Sequence, residues 1–252
     1  VPAPSRSGPR PVRAGTVPAP GRHRVGTGSA TCWHCVEFVP GSCRYLRVFL
    51  RKMSHDERVT HPDQHDAVDT AGLAGSGTLS VAEHRAYTRL AIHAMHSLYE
   101  ANRWVRYVAV FQNWLRPAGA SFDHLHKQLV AIDDLAVQTE AELERLRAQP
   151  DIYDQIFTVA ATRKLLIAQN EHAVALAGFG HRFPGIAIWP LHSPRNPWEV
   201  SDEAMAGISD ILHAAHAATG ADVPANEEWY HRPPTVSTPM RWRILLKWRI
   251  ST

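Results

Sequence analysis

Long apolar runs are missing from this chain: nothing in its 252 residues approaches the roughly 18 to 20 consecutive apolar residues of a membrane-spanning helix. The N-terminus also lacks an apolar h-region, and Pro and Arg predominate there, so no secretory signal is read. Cysteine is scarce. Cys32, Cys35 and Cys43 are too few for a disulfide framework, and a reducing compartment, the cytoplasm, is expected. These shortages exclude a helical membrane protein, a disulfide-stapled secreted domain and a fibrous repeat. What is present is ordinary for a globular chain: 44% hydrophobic and 20% charged residues, at a length suited to one large domain or two small ones.

Acid is nearly absent from the first 52 residues, which hold nine Lys or Arg and only Glu37 against them. That head carries +8 and leaves −5 to the remaining 200 residues of a chain whose total is +3. A basic head could touch nucleic acid or an anionic surface, but the body has no such footprint, so nucleic acid is not the expected partner. Residues 1–31 hold six prolines among Gly, Ser and Arg and offer little to a core. Residues 1–60 are therefore expected to be a disordered, out-of-frame or divergent head, on a chain that starts at Val1 and reads as a fragment.

Order is expected from about residue 78. Ser80 and Glu83 have the spacing of a capping box, and Leu90, Ile92, Met95 and Leu98 continue at near-helical spacing. The β-branched run Val105–Phe111 reads as a strand, His124–Ile132 as another, and Glu140–Arg147 as a solvated helix face. A similar order recurs downstream. Strands are expected around 165–168, 173–176 and 186–189, and a helix from Ser201 to Gly220 on which His213 and His216 are solvated. From Met240 to Ile250, Met240, Trp242, Ile244, Leu246, Trp248 and Ile250 point one way and Arg241, Arg243, Lys247 and Arg249 the other, which makes a half-buried amphipathic strand. With the chain ending just after it, that strand is expected at an uncovered sheet edge, as in a truncated second half. Two halves follow, 61–150 and 151–252, in an α+β fold with antiparallel sheets and helices packed on one face.

The chemistry concentrates between Phe111 and Gln128. If 124–128 is extended, His124, His126 and Gln128 share one face, with Leu125, Lys127 and Leu129 on the other. A neutral imidazole is a competent nucleophile toward phosphorus near neutral pH. A carboxamide two residues on can donate to a phosphate oxygen as charge develops. Gly119 permits close backbone approach, and Ser121 supplies a hydroxyl.

His124-Leu-His-Lys-Gln128, preceded by Asn113 and Gly119-Ala-Ser121, resembles the active-site strand of the histidine-triad superfamily. The resemblance is to its galactose-1-phosphate uridylyltransferase branch and, over about residues 70–252, to an uncharacterised domain family related to those transferases. It implies tandem histidine-triad-like halves and a ping-pong transfer of a nucleoside monophosphate through a covalent nucleotidyl-His126. The acceptor would be a sugar 1-phosphate or similar, and the partners nucleotides, nucleotide-sugars and sugar phosphates. By the same resemblance Gln128 contacts the transferred phosphate, and Asn113, Gly119 and Ser121 bind phosphate or ribose. Lys127, which replaces a small residue of the family motif, is expected to hold substrate phosphate or to alter specificity. A homodimer is implied and no organic cofactor. Zinc is implied on Cys32, Cys35 and His124, with His61 or His65 as a further ligand; the alternatives are two free thiols and, for His124, buried structural hydrogen bonding.

The sequence also departs from the family. The second half of the family carries a His-x-His pair on its last strand, whereas here that strand reads Trp242-Arg-Ile244, which leaves Glu142, near the family's remaining ligand position, without companions. Two other readings stay open: a catalytically silent nucleotide-binding relative, and nucleic-acid binding through the basic head.

Overall fold

The computed structural model of the protein describes the backbone of residues 32–36 and 45–53, and residues 75–121 and 124–249 in full. Two strands, β1 (Cys32–Val36) and β2 (Tyr45–Met53), precede helix α1 (Val81–Ala101). Strands β3 (Tyr107–Trp114) and β4 (His126–Ile132) complete the first half. Helices α2 (Val137–Ala148) and α3 (Ile152–Thr162) lead into β5 (Leu166–Gln169), β6 (Ala173–Ala177) and β7 (Gly185–Pro190). Helix α4 (Asp202–Thr219), β8 (Ala225–Tyr230) and β9 (Arg243–Trp248) close the second half.

The nine described strands form one antiparallel sheet in the order β1-β2-β4-β3-β8-β9-β7-β6-β5. That order is two four-strand blocks set back to back: β3 meets β8 at the seam, β4 and β9 lie just inside it, and β5 is an addition at the far edge. The fold is α+β, as its strand and helix content led us to expect.

Local signals place the helices. The Ser80 hydroxyl accepts from the Glu83 amide while the Glu83 carboxylate accepts from the Ser80 amide at 2.9 Å, a complete capping box that starts α1. Ser201 caps α4 in the simpler way, and Gly220 ends it with φ +93°. The apolar stripes of α1 and α4 pack on one face of the sheet, where Tyr87, Met95 and Leu212 meet Val108, Leu129, Ile188 and Ile244. The second half is covered on its other face as well: Leu143 and Leu146 of α2 and Tyr153 and Ala160 of α3 pack against Val174, Leu176, Ala187, Trp189 and Leu245. No described helix is long and apolar enough to cross a membrane.

Three expectations change. The last strand is no edge: β9 pairs with β8 on one side and β7 on the other, and the far edge is β5. The head, expected to be disordered, contributes β1 and β2 to the sheet through pairing with β4, while residues 1–31 lie outside the described part. Helix α3 and strand β8 add to the elements read from sequence.

Candidate active site

Strand β4 pairs with β3 from Ile132 back to Gln128, which faces Phe111. Its side chains alternate. Leu125 and Leu129 enter the core under α1 together with Lys127, so His126 and Gln128 lie on the opposite face of the strand, where His126 is buried. His126 opens the strand and Gln128 is half-buried beyond it. His124 precedes the strand at a bend and is exposed; it contributes its backbone.

Nδ1 of His126 lies 2.7 Å from the His124 carbonyl oxygen. A carbonyl only accepts, so Nδ1 is the protonated nitrogen and Nε2 carries the lone pair in the neutral ring. Burial lowers the pKa of His126 below the ordinary imidazole value; the bond to the His124 carbonyl opposes this and the His124 ring adds to it. The ring is therefore neutral at pH 7 with a defined nucleophilic nitrogen.

The loop between β3 and β4 is held by two asparagines. Asn226 of β8, directly across from Asn113, donates to the Asn113 Oδ1 at 2.6 Å and to the Ala118 carbonyl at 2.8 Å. Asn113 in turn donates to the Gly119 carbonyl at 3.3 Å. Gly119 turns the chain with φ +89°, a region that a side chain disfavours. Ser121 is exposed at the end of this loop. Asn113 and Gly119 are thus tied into one loop, and the second half supplies Asn226, which the sequence reading missed. Glu227 and Glu228 beside it hid a strand whose signal was the alternation Ala225, Glu227, Trp229.

Lys127 is not available to a substrate phosphate. Its ammonium is 1% exposed, paired with the carboxylate of Glu227 and set over the rings of Tyr87 and Trp229 at 5.0 and 4.9 Å. Trp229 Nε1 donates to the same carboxylate, and His216 Nε2 lies 2.8 Å from its other oxygen. Burial alone would raise the Glu227 carboxyl; Lys127 and His216 outweigh it and hold it far below the usual carboxylate range. Strand alternation explains the placement: a residue flanked by two open-face side chains must face the core, and a charge there requires a partner. His216 is accordingly buried rather than solvated, and His213 reaches the Leu79 carbonyl at 2.8 Å.

Residues 54–252 match the domain of unknown function DUF4921. The chain belongs to that family. A galactose-1-phosphate uridylyltransferase of Thermotoga maritima is 26% identical over 172 residues, covering 59% of this chain and 54% of that protein. The chain thus spans about half the length of the curated relative it matches. Among solved structures, a GalT-like protein from Arabidopsis thaliana shares the fold with a TM-score of 0.70 at 15% identity, over 91% of this chain and 78% of the other. An ADP-glucose phosphorylase from the same plant, solved with bound ADP-glucose, gives 0.65 at 14% identity, over 82% and 64%. A uridylyltransferase gives 0.63 at 19% identity, over 97% and 81%. This DUF4921 chain shares the fold of these GalT-like and uridylyltransferase structures.

Glu142 does have a partner: the Arg243 guanidinium grips its carboxylate through two bonds of 2.5 and 2.6 Å, and the Tyr153 hydroxyl donates to it at 2.6 Å. A permanent guanidinium charge from the last strand stands beside that carboxylate. No group of three His, Cys, Asp or Glu side chains among the described residues is placed to hold a metal. The side chains of Cys32 and Cys35, and the whole of His61 and His65, lie outside the described part.

Proposed function

We propose that this protein is a nucleotidyltransferase that works through a nucleotidyl-His126. The observation that carries the reading is the 2.7 Å contact between His126 Nδ1 and the His124 carbonyl, on a strand that also presents Gln128 to the same face. The Nε2 lone pair attacks the α-phosphorus of a nucleoside diphosphate sugar. A phosphorus–nitrogen bond forms, the bond to the bridging oxygen breaks, and the sugar 1-phosphate leaves with the electron pair. Gln128 donates to the phosphate as charge develops on it. In the second half-reaction an oxygen of the acceptor's phosphate attacks the same phosphorus and the imidazole recovers its lone pair. The acceptor is a sugar 1-phosphate or a similar phosphate. A zinc ion on Cys32, Cys35 and His124 belongs to this reading in a structural role only, and no bond-making step uses it.

The test is intact mass after incubation with UDP-glucose and, separately, ADP-glucose. The reading requires a gain of one nucleoside monophosphate that is absent from His126→Ala. A second reading, a silent nucleotide-binding relative, is favoured by the burial of the His126 ring, which is 1% exposed. It requires nucleotide binding without any adduct.

A further inference from the structure

The mechanism leaves unused a cleft of about 590 Å³ in the second half, between α2 and α3 on one side and the hairpin joining β6 to β7 on the other. That volume falls within the roughly 300–1,000 Å³ typical of small-molecule sites. It lies on the same face of the sheet as His126. The cross-strand row Gln128, Phe111, Glu228, Leu245, Ala187 runs from the candidate nucleophile's neighbour into the cleft lining. Leu245 is three strands from Gln128, about 14 Å at the usual strand spacing.

The floor is fixed and its carboxylates are spent. Arg243 is locked to Glu142, and Lys247 to Glu228, which also accepts from the Tyr230 hydroxyl at 2.6 Å. Arg145 and Arg182, from opposite walls, have no carboxylate partner among the described residues. Aromatic rings close the space: Tyr153 and Trp189 pack edge-to-face at 5.5 Å, and Phe183 carries guanidinium groups at 5.5 and 4.5 Å. His181 reports the resulting field. Burial lowers its pKa first, and the charges of Arg243 and Lys247 lower it further.

We propose that this cleft is a second, non-covalent binding site for a nucleoside phosphate, with the phosphate between Arg145 and Arg182 and the base against the aromatic wall. Guanidinium forks match phosphate geometry, and flat rings suit aromatic faces. The proposal does not depend on chemistry at His126.

Calorimetric titration of UMP into the His126→Ala protein is the test, with uridine and inorganic phosphate titrated separately. UMP is expected to bind, at least tenfold more tightly than either fragment. The double variant Arg145→Ala/Arg182→Ala, on the same background, is expected to weaken UMP at least tenfold, and Arg145→Lys/Arg182→Lys to restore part of the loss. Both arginines are exposed, so melting temperatures should match the parent and the readout is not confounded by unfolding. Absence of UMP heat, an unchanged affinity in the double variant, or phosphate binding as tightly as UMP each overturns the assignment. The nucleophile is already removed in this protein, so such a failure counts against the cleft and not against the covalent step.

Discussion

Strands β4 and β9 hold equivalent places in the two halves, each between its hairpin partner and a second strand of its own block, yet their open-face side chains meet opposite fates. On β4 the face carries His126 and Gln128, an uncharged pair with one nitrogen oriented by a backbone carbonyl. On β9 it carries Arg243 and Lys247, both tied to carboxylates and roofed by α2 and α3. Equivalent strand positions thus carry an imidazole and a carboxamide in one half and charge-paired cations in the other. Fold alone does not decide chemistry; the side chains on the shared geometry do.

The comparison breaks most visibly at His126. His126→Ala is expected to lower adduct formation at least about a thousandfold, since the nucleophile itself is gone. Residual adduct in that variant, mapped to another residue, would place the chemistry elsewhere.

Beneath β4, Glu227→Ala leaves Lys127 buried without a counter-charge. A loss of about 3–5 kcal/mol in urea unfolding is expected. Beneath β9, Glu142→Ala strands a guanidinium that is 12% exposed, and a smaller loss of about 2 kcal/mol is expected in the same measurement. Equal losses would mean that the two carboxylates are equally desolvated, contrary to their surroundings.

Much of this was legible in the sequence, and what was missed has a common cause. Period-two alternation gave the faces of β4 and β9, and the Ser80–Glu83 spacing gave the start of α1. Pattern is local, however, and partners are not. Lys127 finds Glu227 a hundred residues away, and Arg243 finds Glu142 across 101. Both arrangements depend on which strands become neighbours. The edge expected for β9 came from the chain ending just after it, and a strand's place in the chain does not say which strands flank it. Helix α3 had a usable signal, with Ile152, Tyr153, Ile156, Phe157 and Ala160 at helical spacing after Pro150.

Smaller effects sharpen the picture. Gly119→Ala must adopt φ +89° with a Cβ, and about 1–2 kcal/mol of destabilisation is expected; a neutral result would mean that the loop relaxes. Last comes pH. Burial lowers the His231 pKa to about 3, below that of the unfolded chain at about 6.5. Below pH 6.5 the unfolded chain takes up the proton first, so this stabilisation is whole above that pH and is lost as pH falls toward 3. Its share between pH 6.5 and 5.5 is about 1 kcal/mol. Urea titrations of the native protein and His231→Asn at the two pH values should differ by that amount, and parallel curves would contradict it.

The central claim is tested most directly by a single-turnover experiment without acceptor, using each nucleotide-sugar with excess protein. One equivalent of sugar 1-phosphate should be released per nucleotide retained on the protein, the retained group should map to the peptide carrying His126, and His126→Ala should release none. Sugar 1-phosphate released with no nucleotide left on the protein, or released equally by His126→Ala, would contradict the account.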